Sequence, residues 1–168
     1  YHDTALGLVI AAKDRLWLAV MADRYRTKRG DISMLLDRVD IVPPSMALAQ
    51  AAEESGWGTS RFAREGNAIF GQWTFSEIGD LVPHKRDAGK KHRIRSFRSL
   101  LGSVRAYVYN LNRHRAYREF RSLRAQMRAE GRELEGDILI GKLLRYSQRG
   151  QIYVDDIREI IRFNKLQQ

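Results

Sequence analysis

The chain has 168 residues, 43% of them hydrophobic, which suits one compact domain with a real core. It has no cysteine, which excludes a disulfide framework and a thiolate metal site, and no apolar run nears the roughly 20 residues that cross a bilayer, so no stable membrane insertion is expected. Thirty Lys and Arg against twenty Asp and Glu give a formal net charge of +10, a field that favours a polyanionic partner: nucleic acid, an anionic membrane surface or acidic cell-wall polymer.

The chain opens on Tyr1 and not on Met, so any signal segment is expected to have been removed. Residues 4–26 (TALGLVIAAKDRLWLAVMADRYR) carry apolar residues three and four apart and read as a helix, or as two joined near Lys13-Asp14. A short helix is expected over 31–38, after Gly30. VDIVPPS is a turn that launches the next helix, with Pro44 in its first turn, where a missing N–H does no harm. That helix runs to Glu54 and stops at Gly56; Thr59 or Ser60 caps another through about Glu65. Residues 66–97 are rich in Gly, Asp, Pro and His and lack helical period, with β-like pieces at IFGQWTF and HRIRSF, so a small irregular β-lobe is expected there. Helices return at roughly 98–112, 114–130, 134–146 and 151–165. In RHRAYREFRSLRAQMRAEGRELEG, Arg and Glu at helical spacing read as a solvated face. The pattern is α+β and mainly α, with a cleft between lobes as the natural binding place.

The stretch PPSMALAQAAEESGWGTSRFAREGNAIFGQW concentrates the chemistry. Glu53 and Glu54 point about 100° apart on a helix, so one can be buried while the other is solvated. A carboxylate in a helix's last turn meets the negative end of the backbone dipole, and burial also disfavours its charged form. Both effects raise its pKa, as a general acid requires. Gly56 and Gly58 permit a sharp turn and close approach of a ligand, and Trp57 offers an aromatic wall for a sugar face. Alone, Glu-Ser-Gly fits a routine helix cap with a packing tryptophan; the longer context reverses that balance.

In that context ALAQAAEESGWGTSRFAREGNAIFGQW resembles the signature of the glucosaminidase-type peptidoglycan hydrolases, glycoside hydrolase family 73: Ala-Gln-Ala-x-x-Glu-Ser-Gly-Trp-Gly, a basic and apolar helix, then Asn-x-x-Phe-Gly. More narrowly, GDLVPHKRDAG, SFRSL, VRAYVYNLNRHRAYREFRSLR and YSQRGQIYVDDI are similar to the Bax group of Gram-negative bacteria, described as endo-β-N-acetylglucosaminidase-like. The resemblance covers about residues 38–165. It implies a lysozyme-like fold, with a helical lobe facing a small β-lobe (about 66–97) across a glycan-binding cleft, and a division into an N-terminal helical extension, 1–37, and a catalytic domain, 38–168. It implies cleavage of the β-1,4 bond after N-acetylglucosamine, with Glu54 as general acid, a peptidoglycan glycan strand as partner, a location in the bacterial envelope, in the periplasm, and no cofactor. The family places a tyrosine near the acid, and here YSQRGQIY offers both Tyr146 and Tyr153. Ser55, Trp57, Asn67, Phe70, Gly71 and Trp73 match motif positions that shape the groove. The second carboxylate has no matching motif; Glu77, Asp80 and Asp87 are on offer, with Glu77 the candidate, unless a substrate acetamido group takes the role.

Three rival readings stand beside this one. A lytic transglycosylase shares the Glu-Ser-Gly motif, needs a single Glu and leaves 1,6-anhydromuramyl ends. A non-catalytic glycan-binding module would have a blocked groove or a solvated Glu54. A nucleic-acid binder would use KRDAGKKHRIRSFR, but anionic wall polymer explains that run equally, so no nucleic-acid partner is expected. His2, His84, His92 and His114 show no ligand spacing, so no metal site is expected. The sequence leaves the oligomeric state open.

Overall fold

The computed structural model describes residues 2–3, 8–9, 11–74 and 93–167 of the chain, with side chains over 11–72 and 94–167. The described residues are mainly helical. Two strands, β1 (His2–Asp3) and β2 (Leu8–Val9), pair antiparallel ahead of α1 (Ala12–Tyr25). Within the helix expected over 4–26, α1 covers Ala12–Tyr25 while Leu8–Val9 is strand, which the β-branched Val9 favours. Asp31 caps α2 (Ile32–Arg38), its side chain accepting the N–H of Met34 at 2.9 Å. Arg38 donates to the carbonyl oxygens of Tyr25 and Arg26 and so ties α2 to the end of α1.

Central to the core is α3 (Pro44–Ser55), which packs on α7 (Gly136–Leu139) and α8 (Gln151–Phe163). Its buried face is Met46, Ala49 and Gln50, and the small residues bring its neighbours close. At Gly136 an added Cβ would stand 2.3 Å from Ser45 Oγ and 2.9 Å from the Met46 nitrogen, so the start of α7 sits directly on the start of α3. α5 (Leu100–Arg113) contributes Tyr107 and Leu111, α6 (Arg118–Ala129) contributes Phe120 and Met127, and α8 contributes Tyr153, Val154, Ile157 and Ile161 to one apolar cluster. α4 (Arg61–Gly66) is capped by Ser60, whose hydroxyl accepts the N–H of Ala63 at 3.1 Å.

Two expected helices are divided. The helix expected over 114–130 opens as a 3-10 turn, Arg115–Tyr117, before α6, because His114 adopts an extended conformation and its Nδ1 accepts the Ala116 N–H. The helix expected over 134–146 is only α7 and a 3-10 turn, Ile140–Lys142. Gly141 lies in that turn, and a Cβ there would meet the Arg158 guanidinium at 2.9 Å. The solvated reading of the basic run also needs correction, because Arg121 and Arg124 on α6 are buried. Arg121 donates to the carbonyls of Leu111 and His114, which fastens α6 to the end of α5.

In the expected β-lobe, β3 (Trp73–Thr74) pairs antiparallel with β4 (Arg93–Ile94), Trp73 opposite Ile94. The Arg95 N–H donates to the Gln72 carbonyl and the Phe97 N–H to the Gly66 carbonyl, which extends the pairing on one side. Most of that lobe, with Glu77, Asp80, Asp87, His84 and His92, lies outside the described residues.

Candidate functional site

The last turn of α3 ends in a left-handed reversal. Gly56 (φ 56°) and Trp57 (φ 56°) both take positive φ, and the Trp57 N–H closes on the Ala52 carbonyl at 2.8 Å. Ser55 sits inside this turn: its hydroxyl donates to the Ala51 carbonyl at 2.6 Å and accepts the Gly58 N–H at 2.8 Å. It is buried, so it shapes the turn from within. Trp57, 64% exposed, stands out from the same turn as a free aromatic face. A non-glycine residue of this bulk at positive φ is uncommon, and such strain gathers at functional sites.

The two glutamates have different surroundings. Glu53 accepts from Arg149 at 2.7 Å, and Arg149 also pairs with Asp156. Glu54 turns inward. Burial raises its pKa, a hydrogen bond from Tyr153 and the charge of Arg149 oppose the rise, and the neighbouring Glu53 adds to it; the net direction is upward. Behind it runs a chain of buried polar groups. The Tyr107 hydroxyl donates to Gln50 Oε1 at 2.7 Å, Gln50 Nε2 donates to the Tyr153 oxygen at 2.8 Å, and the Tyr153 hydroxyl hydrogen-bonds the Glu54 carboxylate. Gln50 lies one helical turn before Glu54, so α3 itself sets their spacing. Burial, with the negative charge of Glu54 nearby, keeps the Tyr153 phenol far above its ordinary pKa. It acts as a neutral donor.

The Asn-x-x-Phe-Gly segment closes on this cluster. Asn67 takes a left-handed backbone (φ 49°) and donates through Nδ2 to the Phe97 carbonyl at 2.9 Å. Phe70 is buried and stacks on Tyr107, ring centroids 3.9 Å apart and 6° from parallel. Gly71 (φ 56°) then passes against the acid, and a Cβ there would stand 3.1 Å from Glu54 Oε2. Tyr146 lies edge-on to Tyr107 and stacks on Tyr153 at 5.6 Å, so both candidate tyrosines are in the cluster, but the hydrogen bond to Glu54 comes from Tyr153. Trp73 lies in β3, next to this segment, and Glu77 lies outside the described residues. No group of three or more His, Asp or Glu among the described residues is arranged to hold a metal ion.

The arrangement holds a carboxyl group biased toward its protonated form, oriented by a phenol and flanked by open backbone at Gly71. That is the equipment for delivering one proton to an oxygen. Sequence reasoning missed Gln50 and Tyr107. Gln50 left a signal as the one amide in an alanine-rich helix, a turn before the acid; Tyr107 looked like any core aromatic.

The comparisons with known proteins agree with the motif reading. The family model described as mannosyl-glycoprotein endo-beta-N-acetylglucosaminidase matches residues 32–166. The chain is 40% identical over 146 residues to a protein of Escherichia coli (strain K12) named "Protein bax", an alignment covering 83% of this chain and 52% of that protein. The chain thus spans about half the length of that curated relative. No solved structure matches, and no helix among the described residues is long and apolar enough to cross a membrane. With a match over most of its length, and with the Glu-Ser-Gly turn and the Asn-x-x-Phe-Gly segment meeting at Glu54, the chain belongs to the glucosaminidase family.

Proposed function

We propose that this chain is a peptidoglycan hydrolase, an endo-β-N-acetylglucosaminidase that cuts the β-1,4 bond after N-acetylglucosamine with Glu54 as general acid. The observation that carries the reading is the Glu54 carboxyl, its pKa raised by burial, met on one side by Tyr153 and on the other by the bare backbone of Gly71. Glu54 protonates the glycosidic oxygen as the bond to the sugar breaks, and Tyr153 holds the carboxyl in place and then donates to the carboxylate that remains. Trp57 stacks on a sugar face at the rim. Glu77 is the candidate for steadying the oxocarbenium-like transition state or assisting water. Residues 38–168 form the catalytic domain of this proposal and 1–37 an extension packed on it. The substrate places the enzyme in the bacterial envelope, in the periplasm, where its net charge of +10 draws it to anionic wall polymer.

The test is mass spectrometry of the soluble fragments released from purified peptidoglycan by the wild type and by Glu54→Gln. Reducing N-acetylglucosamine ends that vanish in the variant are expected. Anhydromuramyl ends would make the enzyme a lytic transglycosylase. No fragments from either protein, beside a working control enzyme, would point to a non-catalytic glycan-binding module.

A further inference from the structure

One residue along the wall from the acid lies a second feature that the cleavage reading does not use. A cavity of about 310 Å³ is lined by Gln72, Arg95, Tyr109, Asn110, Arg113 and His114. Gln72 follows Gly71, whose backbone meets Glu54. Asn110 hydrogen-bonds Tyr117, a phenol close enough to feel the Glu54 charge. Gln72 and Asn110 therefore link the lining of the cavity to residues around the acid.

Its lining is cationic and contains no carboxylate. Among the described residues neither Arg95 nor Arg113 stands within ion-pairing distance of an acidic group, whereas Arg124, Arg128, Arg149 and Arg158 all do. Arg113 is already set in place. It donates one N–H to the Tyr109 oxygen at 2.6 Å, lies 4.9 Å over that ring, and Tyr109 is itself fixed by donating to the Arg24 carbonyl at the end of α1. Arg95 rests over Phe97 at 5.1 Å. The His114 Nδ1 accepts the Ala116 N–H, so Nε2 is the ring nitrogen left to donate. Gln72 Oε1 is buried and has no hydrogen-bond partner among the described residues, a condition that buried polar atoms seldom keep.

Two guanidinium forks that lack an acidic partner among the described residues call for a planar anion that accepts in pairs. The orphaned amide oxygen of Gln72 calls for a hydroxyl or N–H on the group that carries it. On a peptidoglycan strand seated at Glu54, both demands are met by a muramyl sugar, whose 3-O-lactyl substituent, or the peptide joined to it, bears carboxylates. We infer that this cavity is a carboxylate-binding subsite that reads the acidic substituent of the sugar beside the bond to be cut. The inference rests on the glycan-hydrolase reading for its ligand. Its consequence is selectivity for carboxylate-bearing strands over neutral β-1,4-linked N-acetylglucosamine.

The experiment measures binding, which needs no turnover. Full-length Glu54→Gln is titrated with an N-acetylglucosaminyl-muramyl disaccharide bearing a free lactyl carboxylate, and with the same disaccharide amidated at that carboxyl. Affinities are read by calorimetry and the amide shifts of Gln72 and Asn110 by NMR. At least tenfold tighter binding of the acid is expected, with shifts at both amides and a steep loss of affinity in added salt. Arg95→Gln, an exposed position, should remove most of that preference, and the further change Arg113→Gln should remove the rest. A ratio near one in the parent protein overturns the subsite, as does a ratio that survives both substitutions in a folded variant. Binding of a glycerol-phosphate oligomer as tight as that of the acid, at the same amides, overturns the carboxylate assignment in favour of phosphate polymer. A protein that cuts glycan with a ratio of one loses only the subsite. One that keeps the ratio and cuts nothing loses only the hydrolase.

Discussion

Each end of α3 carries a buried polar cluster, and the two are built on opposite plans. At the N-terminal end Arg124, almost wholly enclosed, donates to the carbonyls of Ile41 (2.8 Å) and Asp37 (2.9 Å) and to Asn112 Oδ1 (2.7 Å), with the Asp40 carboxylate 3.7 Å from Nε. Burial lowers its pKa to about 10, so it stays charged at neutral pH, and its contacts hold the segment that feeds α3. At the C-terminal end Glu54 receives one phenolic hydrogen bond, faces a bare glycine and has a like charge as its neighbour. A buried charge met by several acceptors is a fastening. A carboxyl with few partners, pushed toward its neutral form, is held ready to transfer a proton.

The largest effect expected from this contrast is at Glu54. Glu54→Gln keeps the shape and removes the proton, and fragment release from peptidoglycan should fall by roughly 10²–10⁴-fold with the fold intact by circular dichroism. In the wild type, the same reading puts the alkaline fall of the pH–rate profile above the ordinary glutamate range, because the acid must be protonated and its pKa is raised. A fall of less than about tenfold would remove Glu54 from the chemistry and leave its burial a packing detail.

Arg124→Met should do the reverse, changing stability and leaving the acid alone. It removes the donors from the carbonyls of Asp37, Asp40 and Ile41 and from Asn112 Oδ1 while leaving the Asp40 carboxylate paired with Arg128, so a loss of about 3 kcal/mol is expected, read as a shift of the urea midpoint. Activity per folded molecule should stay close to wild type. If activity falls as far as stability does not, the two ends of α3 are coupled and the contrast fails.

How much of this was legible depended on the range of the interaction. The Gly56 stop, the Ser60 cap and the Pro44 start were readable because each is local chemistry between residues a few positions apart. The setting of Glu54 was readable because helix end, glutamate and glycine turn are contiguous. The Tyr107–Gln50–Tyr153 chain was not, since its members lie 57 and 103 positions apart and a Tyr in an apolar stripe looks the same whether or not its hydroxyl is wired. Arg124 was misread for the same reason: a charge at helical spacing gives no sign that four backbone and side-chain acceptors wait inside. The division of 134–146 escaped notice because Gly141 is set by contact with Arg158 on another helix.

Gly71 sharpens the contrast with a smaller change. Gly71→Ala puts a methyl at a left-handed position, which strains the backbone by about 1–2 kcal/mol, and 3.1 Å from Glu54 Oε2, tighter than a carbon comfortably approaches. The carboxyl must shift by a few tenths of an ångström. Because general-acid catalysis depends on placement, kcat should fall about tenfold, while the pH limb assigned to Glu54 stays in the profile. Full kcat would mean that the carboxyl tolerates displacement and that the bare backbone has no part in its placement.

The smallest effect is the one that tests why Glu54 is under-wired at all. Its folded pKa is raised above the unfolded value, so the folded state binds the proton more tightly. That contribution is present in full below the unfolded pKa and is lost as pH rises through the folded one. Glutamine does not titrate. Glu54→Gln should therefore match the wild type in stability at acid pH, gain on it as pH climbs through the window between the two pKa values, and level off more stable above that window. Urea unfolding across that range reads the difference directly. A flat difference would mean that Glu54 is as well accommodated charged as neutral; an inverted one, that Tyr153 and Arg149 outweigh burial. Either result would place Glu54 with Arg124 among the fastenings, because a carboxyl that is comfortable when ionised has no reason to hold its proton for a glycosidic oxygen.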